Sequence, residues 1–288
     1  MPDSSEGPTV LRILLGNQLR RLRDQRGISA KDAARAIRAS ESKISRIELG
    51  RNAIREIDVL DLLTLYGVDP DEREQMLSLA EQSSRPGWWH QYSDILPEWF
   101  QAYVGMEGGA KSIRTYEQQL IPGLLQTEEY AAAVIALCDY PIAEAGRHVL
   151  LRKERQRRFL EGKLKLWVVV EERALRRPLP GLAAHLAQLR YLQEAIATPS
   201  LTMQVIPPNA SHAVPSAFSI LRFPEPELPD LVYVENLAGA IYLDKQADVD
   251  RYLLAMERLS VISCQPRQTS AILASVIEDV EAELAGVR

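Results

Sequence analysis

The first eighty residues carry a helical spacing of apolar side chains, interrupted at intervals by residues that end or cap helices. Leucines recur every three or four positions from Leu11 to Leu22, which predicts one amphipathic helix. Gly27 is suited to end that helix in the left-handed conformation, and Ser29 is suited to cap the next one. These helix-ending and helix-capping residues predict that residues 10–82 form a series of short helices.

The third of these predicted helices lies in the stretch SESKISRIELGRN at residues 40–52. Ser40 can cap it, and Ile44 and Ile47 are three positions apart, so both side chains are expected on its buried face. A helix this short must lean on its predecessor, and two short helices joined by the tight turn IRAS have helix-turn-helix geometry. On the outer face, Arg46 is long enough to reach guanine O6 and N7 in a major groove.

Further along, the pattern changes from helical to mixed. Two more helices are predicted at 57–66 and 70–80, and from about residue 111 short runs rich in β-branched and aromatic residues alternate with helices. Strands are predicted at 164–172, 201–207, 218–223, 231–236 and 240–244, and helices at 127–138, 144–161, 181–197, 245–263 and 268–285. The predicted fold is mainly α with an α+β second domain: a five-helix domain at 11–82, an aromatic-rich hinge at 83–110 and an α+β domain at 111–288.

The charge of the chain is distributed unevenly. The net charge is −5, yet residues 12–55 contain 12 Lys/Arg and 4 Asp/Glu, a local charge of +8 that leaves −13 for the remainder. The five-helix domain at 11–82, called the head below, contains this basic segment and is suited to attract phosphates. The acidic remainder of the chain resists non-specific association with nucleic acid. The asymmetry therefore favours nucleic acid as the partner of the head alone.

Several classes of protein are disfavoured by the sequence. It has no apolar run long enough to span a membrane, and its acidic, polar N-terminus is unlike a signal peptide. Cys138 and Cys264 lie among apolar residues without metal-ligand spacing and are predicted to be reduced core residues. We therefore expect a cytoplasmic protein without membrane association, metal or cofactor.

Residues 11–82 resemble the Xre-type, phage-repressor-like helix-turn-helix family. The resemblance is carried by LRRLRDQRGIS, KDAARAI, SESKISRIELGRN and DVLDLLTLYGV, which occur in the family's order and spacing. It implies a lambda-repressor-like fold and binding to double-stranded DNA. It further implies base contacts by Glu41, Ser42 and Arg46, phosphate contacts by Ser29, Lys43, Arg51 and Asn52, and a structural ion pair between Arg23 and Glu48.

The chain departs from this family at two positions. Ala30 replaces a glutamine that often contacts DNA, so one expected contact is missing. Arg38 replaces a glycine that is often found in the turn, and a non-glycine residue in the left-handed conformation costs about 1 kcal/mol.

The remainder of the chain is similar to the C-terminal domain of WhiJ-like regulators of actinomycete bacteria. The matching stretches are GWWHQY (87–92), LIPGLLQTEEYAAAV (120–134), RQRR (155–158), VVVEERALRRP (168–178), SAFSILRFPEP (216–226) and LVYVEN (231–236). The resemblance implies a sequence-specific transcriptional regulator, a repressor, whose second domain binds a small partner protein encoded nearby or a small-molecule ligand. Two alternatives stay open: an antitoxin-like adaptor that neutralises its small partner and regulates its own operon, and an enzyme acting on a nucleotide.

No catalytic residue is predicted in the second domain. The histidines His148, His185 and His212 belong to no catalytic motif, and P-loop and GxGxxG sequences do not occur, so we expect no enzyme. Glu171 and Glu172 end a predicted strand, where they form either a site or plain ion pairs. The loop at 208–218 has the polar composition of a pocket rim.

A homodimer is expected, because one short recognition helix reads too little DNA and two half-sites lie about 34 Å apart. The second domain and the last helix are the candidates for the dimer contact, the latter through a stripe of Ala271, Ala274, Ile277 and Val280. The basic run at 152–159 is either a solvated helix face or a contact for an acidic partner.

Overall fold

A computed structural model describes residues 8–50, 54–138 and 140–286, which pack into two compact units. The helical unit consists of the described residues within Met1–Ser93, Gln101–Gly109 and Glu225–Leu228. The sheet unit consists of those within Asp94–Phe100, Ala110–Pro224 and Pro229–Arg288. The predicted fold class, mainly α with an α+β second domain, is confirmed. The predicted domain boundaries stay predictions.

The helices of the head begin and end close to the predicted positions. They are α1 (Pro8–Gln25), α2 (Ala30–Ala36), α3 (Glu41–Glu48), α4 (Glu56–Leu65) and α5 (Pro70–Ser84). Gly27 has a φ of 65°, and Ser29 and Ser40 accept hydrogen bonds from backbone N–H groups three residues ahead, as N-caps do. The predicted caps are therefore confirmed.

The helices of this unit share one apolar core. Leu15 and Leu19 of α1 meet Ile44 and Ile47 of α3, and all four are at most 2% exposed. Burial of a side chain of this size contributes about 1.5–3 kcal/mol. The approach of α1 to α3 requires Gly16, because a Cβ at that position would overlap the carbonyl oxygen of Ile47.

A further helix, α6 (Glu98–Gly109), follows a 3-10 helix at Trp88–Tyr92. Both lie in the segment 83–110, which was predicted as a hinge. No helix was predicted in that segment, so α6 is an addition to the predicted fold. Within the helical unit, Gly105 of α6 lies against the start of α1, so that a Cβ there would overlap the hydroxyl of Thr9. The C-terminal half of α6 therefore belongs to the packing of the head.

The sheet unit is built on a mixed six-stranded sheet within the described residues. Its strands are β1 (Ser112–Glu117), β2 (Lys165–Glu171), β3 (Leu201–Ile206), β4 (Phe218–Arg222), β5 (Leu231–Asn236) and β6 (Gly239–Leu243), in the order β3-β2-β1-β4-β5-β6. β1 pairs with β2 in parallel and with β4 in antiparallel orientation, and β2 pairs with β3 in parallel. The remaining pairs, β4–β5 and β5–β6, are antiparallel.

The strand β1 lies in the middle of the sheet although no strand was predicted there. Its sequence, SIRTYE, is mostly polar, and two of its polar side chains, Arg114 and Thr115, contact neighbouring strands. The hydroxyl of Thr115 donates to the carbonyl of Phe218 at 3.2 Å and accepts from Ser219 at 3.0 Å. The guanidinium of Arg114 lies 5.0 Å from the ring centre of Trp167. These contacts come from residues on neighbouring strands, so the sequence of β1 alone does not show that its polar side chains can be buried.

Helices flank the sheet. They are α7 (Glu128–Ala136), α8 (Ala145–Leu160), α9 (Glu172–Arg176), α10 (Leu182–Ala195), α11 (Gln246–Ile262) and α12 (Thr269–Gly286). On one sheet face, Tyr116 and Val169 pack in a core with Met256 and Leu259 of α11. α7 packs against α8, and α10 packs against α12.

The apolar residues that α12 buries are Leu273, Val276 and Val280, whereas Ala271 of the predicted stripe is exposed. The role of this stripe in a dimer contact stays a prediction. One prediction about a buried residue needs correction. Cys138 was predicted in the core but is exposed, because it lies just beyond the C-terminal end of α7. Neither Cys138 nor Cys264 forms a disulfide within the described residues.

Candidate nucleic-acid interface

Helices α2 and α3 are joined by a tight turn that contains Arg38. This residue has a φ of 51°, the left-handed conformation that glycine adopts at no steric cost. The turn directs Ile44 and Ile47 of α3 into the core. The outer face of α3 consequently exposes Glu41, Ser42, Ser45 and Arg46.

The three predicted base-contacting residues, Glu41, Ser42 and Arg46, are all exposed on this outer face. Serine side chains are short, so the α3 backbone can approach a groove closely, while the arginine supplies a forked donor. An exposed helix with these residues is able to enter a major groove. The base contacts themselves stay predictions.

Arg23 of α1 and Glu48 of α3 form a two-pronged ion pair. Arg23 Nε donates to Glu48 Oε1 at 2.6 Å, and Nη2 donates to Oε2 at 2.9 Å. Arg23 Nη1 also donates to the carbonyl of Ile28 at 3.0 Å. The hydrogen bond to Glu48 raises the pKa of Arg23. This pair ties the C-terminal end of α3 to α1.

Asp58 at the start of α4 holds two basic side chains. Its carboxylate is 2% exposed and accepts from Lys43 Nζ at 3.1 Å and from Arg55 Nη2 at 2.7 Å. Burial alone would raise the pKa of Asp58, but the hydrogen bonds from Arg55 and Lys43 outweigh it and lower that pKa. Lys43, a predicted phosphate contact, therefore already has a partner within the protein.

Of the other three predicted phosphate contacts, Ser29 lies within the described residues. Ser29 is exposed at the start of α2, where its hydroxyl also donates to Asp32 at 2.6 Å. Its position at a helix N-terminus is one that favours an anion. Arg51 and Asn52 lie outside the described residues.

Comparisons with known proteins agree with this geometry. A family model described as a helix-turn-helix domain matches residues 14–76. The helix-turn-helix domain indicates a DNA-binding regulator. None of the curated proteins compared with the chain matches it.

A second family model, described as a domain of unknown function (DUF5753), matches residues 100–275, which is more than half of the chain. The chain belongs to the DUF5753 family. The DUF5753 match includes most of the sheet unit and, at its start, all of α6 except its first two residues.

Within the DUF5753 region, Glu171 lies in a hydrogen-bonded cluster. Its Oε1 accepts from the hydroxyl of Tyr116 at 2.8 Å and lies 2.7 Å from His212 Nε2. Because His212 Nδ1 accepts from the N–H of Val214, the Nε2 carries a proton and donates to Glu171. Burial and the hydrogen bond to Glu171 raise the pKa of Tyr116. The cluster fixes the 208–218 loop to the end of β2.

Two other parts of the DUF5753 region that the sequence singled out contain ion pairs. Glu172 pairs with Arg176 at 2.6 Å, and Arg157 of the basic run pairs with Glu154 at 2.9 Å. Among the residues that the structure describes, no group of three His, Cys, Asp or Glu is arranged to hold a metal ion. In the same residues, no helix is long and apolar enough to cross a membrane.

Proposed function

We propose that this DUF5753 protein is a sequence-specific transcriptional repressor that binds its operator as a homodimer in the cytoplasm. The observation that carries the proposal is the exposed outer face of α3 within a region that matches a helix-turn-helix domain. Specificity comes from Arg46, with Glu41 and Ser42 beside it, and two copies supply the second half-site.

We further propose that the protein belongs to the WhiJ-like, antitoxin-like regulators and that its sheet unit receives the regulatory signal. The sequence motifs shared with those regulators lie mostly in the DUF5753 region. The signal is a small partner protein or a small-molecule ligand, and the unit performs no catalysis. In support, Glu171 and His212 bond to each other and to Tyr116 within a packed cluster, an arrangement suited to holding a loop.

The experiment is binding of the full-length protein to DNA from its own promoter region, followed by fluorescence anisotropy at several salt concentrations. Arg46→Ala should cost about 1–3 kcal/mol on the specific site and little on random DNA, because it removes a base contact. Arg85→Ala is the matched control, since Arg85 is an exposed arginine directly after α5 that pairs only with Glu81 among the described residues. Equal loss on specific and random DNA would contradict base reading by Arg46.

A further inference from the structure

Helix α11 covers only part of one face of the sheet. Tyr116 of β1 and Val169 of β2 lie side by side on this face and are buried in a core with Met256 of α11. Successive side chains of a strand point to opposite faces, so the residues two and four positions earlier point to the same face as Tyr116 and Val169. These earlier residues are not buried, and together they form a surface on β1, β2 and β3.

This surface, called the platform below, consists of five side chains in two rows: Thr202, Trp167 and Arg114, then Lys165 and Ser112. Each row joins residues that are paired in the strand register. Thr202 and Lys165 are exposed, and the other three are partly exposed. The guanidinium of Arg114 lies 5.0 Å from the ring centre of Trp167, which is a cation–π contact. The platform therefore combines one aromatic ring, two cations and two hydroxyls.

Neither cation of the platform is neutralised by the protein. Within the described residues, Arg114 and Lys165 form no ion pair and no side-chain hydrogen bond. By contrast, Arg222, which is paired with Ser112 in the register, forms an ion pair with Asp230 at 2.6 Å. The platform thus presents two positive charges that are available to an anion.

The contact with Trp167 leaves the donors of Arg114 accessible to a ligand. A guanidinium that packs over a ring uses its flat face, whereas its N–H groups lie in the plane of the group and point outward. Trp167 is itself held in place, because its indole N–H donates to Gln204 at 2.9 Å. Arg114 can therefore bind an anion while it stays over the ring.

The dimensions of the platform limit the size of its ligand. Three neighbouring strands span about 10 Å, and two rows along a strand span about 7 Å. An area of this size accommodates one base with its sugar and phosphate. It is too small for a run of several bases on a single strand of nucleic acid.

We propose that the platform binds a mononucleotide, whose base stacks on the Arg114–Trp167 pair and whose phosphate is held by Arg114 and Lys165. Nucleobases stack on aromatic rings and on guanidinium planes. A phosphate monoester carries about 1.5 to 2 negative charges at pH 7, which matches the two cations that lack a partner. The hydroxyls of Thr202 and Ser112 supply hydrogen bonds to the sugar or the base.

The biological meaning of this site rests on the proposed role of the sheet unit as the receiver of a small-molecule signal. Nucleotide binding is nevertheless measured without DNA. A protein that binds the nucleotide at the platform but does not bind its promoter contradicts only the repressor function, and the reverse result contradicts only the platform proposal.

The probes are the nucleoside monophosphates AMP, GMP, CMP and UMP, titrated into the full-length protein by calorimetry. The preferred nucleotide should bind at least about tenfold more tightly than its nucleoside and than ribose 5-phosphate, because the first lacks the phosphate and the second lacks the base. If no nucleotide binds more tightly than these two halves, the proposal is wrong.

Charge variants locate the site. Lys165→Gln and Arg114→Gln should each weaken binding of the preferred nucleotide by about tenfold, because each removes one charged partner of the phosphate. Lys163→Gln is the matched control, since Lys163 pairs with Glu161 at 2.8 Å. Lys165 is exposed, so its variant tests the site even if Arg114→Gln does not fold. Unchanged binding by Lys165→Gln, or an equal loss in Lys163→Gln, would overturn the proposal.

Tryptophan fluorescence tests the stacking directly. Binding of the preferred nucleotide should quench the fluorescence of the full-length protein, and Trp167→Phe should remove most of this change while it keeps a ring for the base. A quench of the same size in Trp167→Phe contradicts stacking on Trp167. If Lys165→Gln weakens binding of a single-stranded oligonucleotide but of no mononucleotide, the platform binds nucleic acid instead and the proposal is wrong.

Discussion

Removal of Arg23 should destabilise the head far more than removal of its partner Glu48. In an Arg23→Met variant, the Glu48 carboxylate, whose side chain is 8% exposed, loses both of its hydrogen bonds from Arg23. In a Glu48→Gln variant, Arg23 keeps Asp24 at 2.8 Å and the carbonyl of Ile28 at 3.0 Å. The two halves of this ion pair are therefore unequal.

The magnitudes follow from what each variant leaves unpaired. Breaking a buried pair so that one charge stays uncompensated costs about 3–5 kcal/mol, which is the expectation for Arg23→Met. Glu48→Gln keeps an amide acceptor and leaves Arg23 partnered, so a cost of about 1–3 kcal/mol is expected. Replacing both residues by methionine should recover most of the loss, because no buried charge then remains.

The assay is urea denaturation of the full-length protein followed by circular dichroism, with hydrogen exchange of α1 and α3 to localise the change. Arg20→Met is the control, because Arg20 forms an exposed ion pair with Asp24 at 3.7 Å that should contribute less than about 1 kcal/mol. The reasoning is refuted if Arg23→Met costs no more than Arg20→Met. It is refuted equally if the double variant is no more stable than Arg23→Met alone.

Two further predictions concern backbone conformation and pH. Arg38→Gly should raise the free energy of unfolding by up to about 1 kcal/mol, because it removes the steric cost of the left-handed turn, and a melt showing lower stability would contradict this. Glu117 has a folded-state pKa of about 8 against an ordinary 4.5, so the stability it contributes is complete below pH 4.5 and is lost as the pH rises through 8. Between pH 5 and 8, the free energy of unfolding should fall less in Glu117→Gln than in the wild type. The difference is at most about 5 kcal/mol and is smaller to the extent that solvent reaches the carboxyl. Denaturation measured at several pH values would contradict this if the free energy of unfolding fell equally in the two proteins.

The head could be predicted from sequence because its determinants are local. Ser29 and Ser40 cap helices through residues three positions away, and Ile44 and Ile47 face the core through helical spacing alone. Asp58 was not recognised as a partner of Lys43, because the two residues are 15 positions apart and join only when α3 and α4 pack.

The sheet unit was predicted less completely, because its polar side chains are satisfied at long range. Thr115 is buried in the central strand through a hydrogen bond to Phe218, 103 positions away. The contact between His212 and Glu171 spans 41 positions and depends on the path of a loop that has no periodic pattern.

The interleaving of the two units along the chain limits how this protein can be divided or recombined. Residues 101–109 and 225–228 return to the helical unit after the chain has entered the sheet unit. A fragment ending at residue 82 would keep the recognition helix but lose the half of α6 that covers Thr9. In a fusion protein that carried only this fragment, the start of α1 around Thr9 would lack the cover that α6 provides. The head is consequently a poor candidate for exchange between proteins unless residues 101–109 are transferred with it.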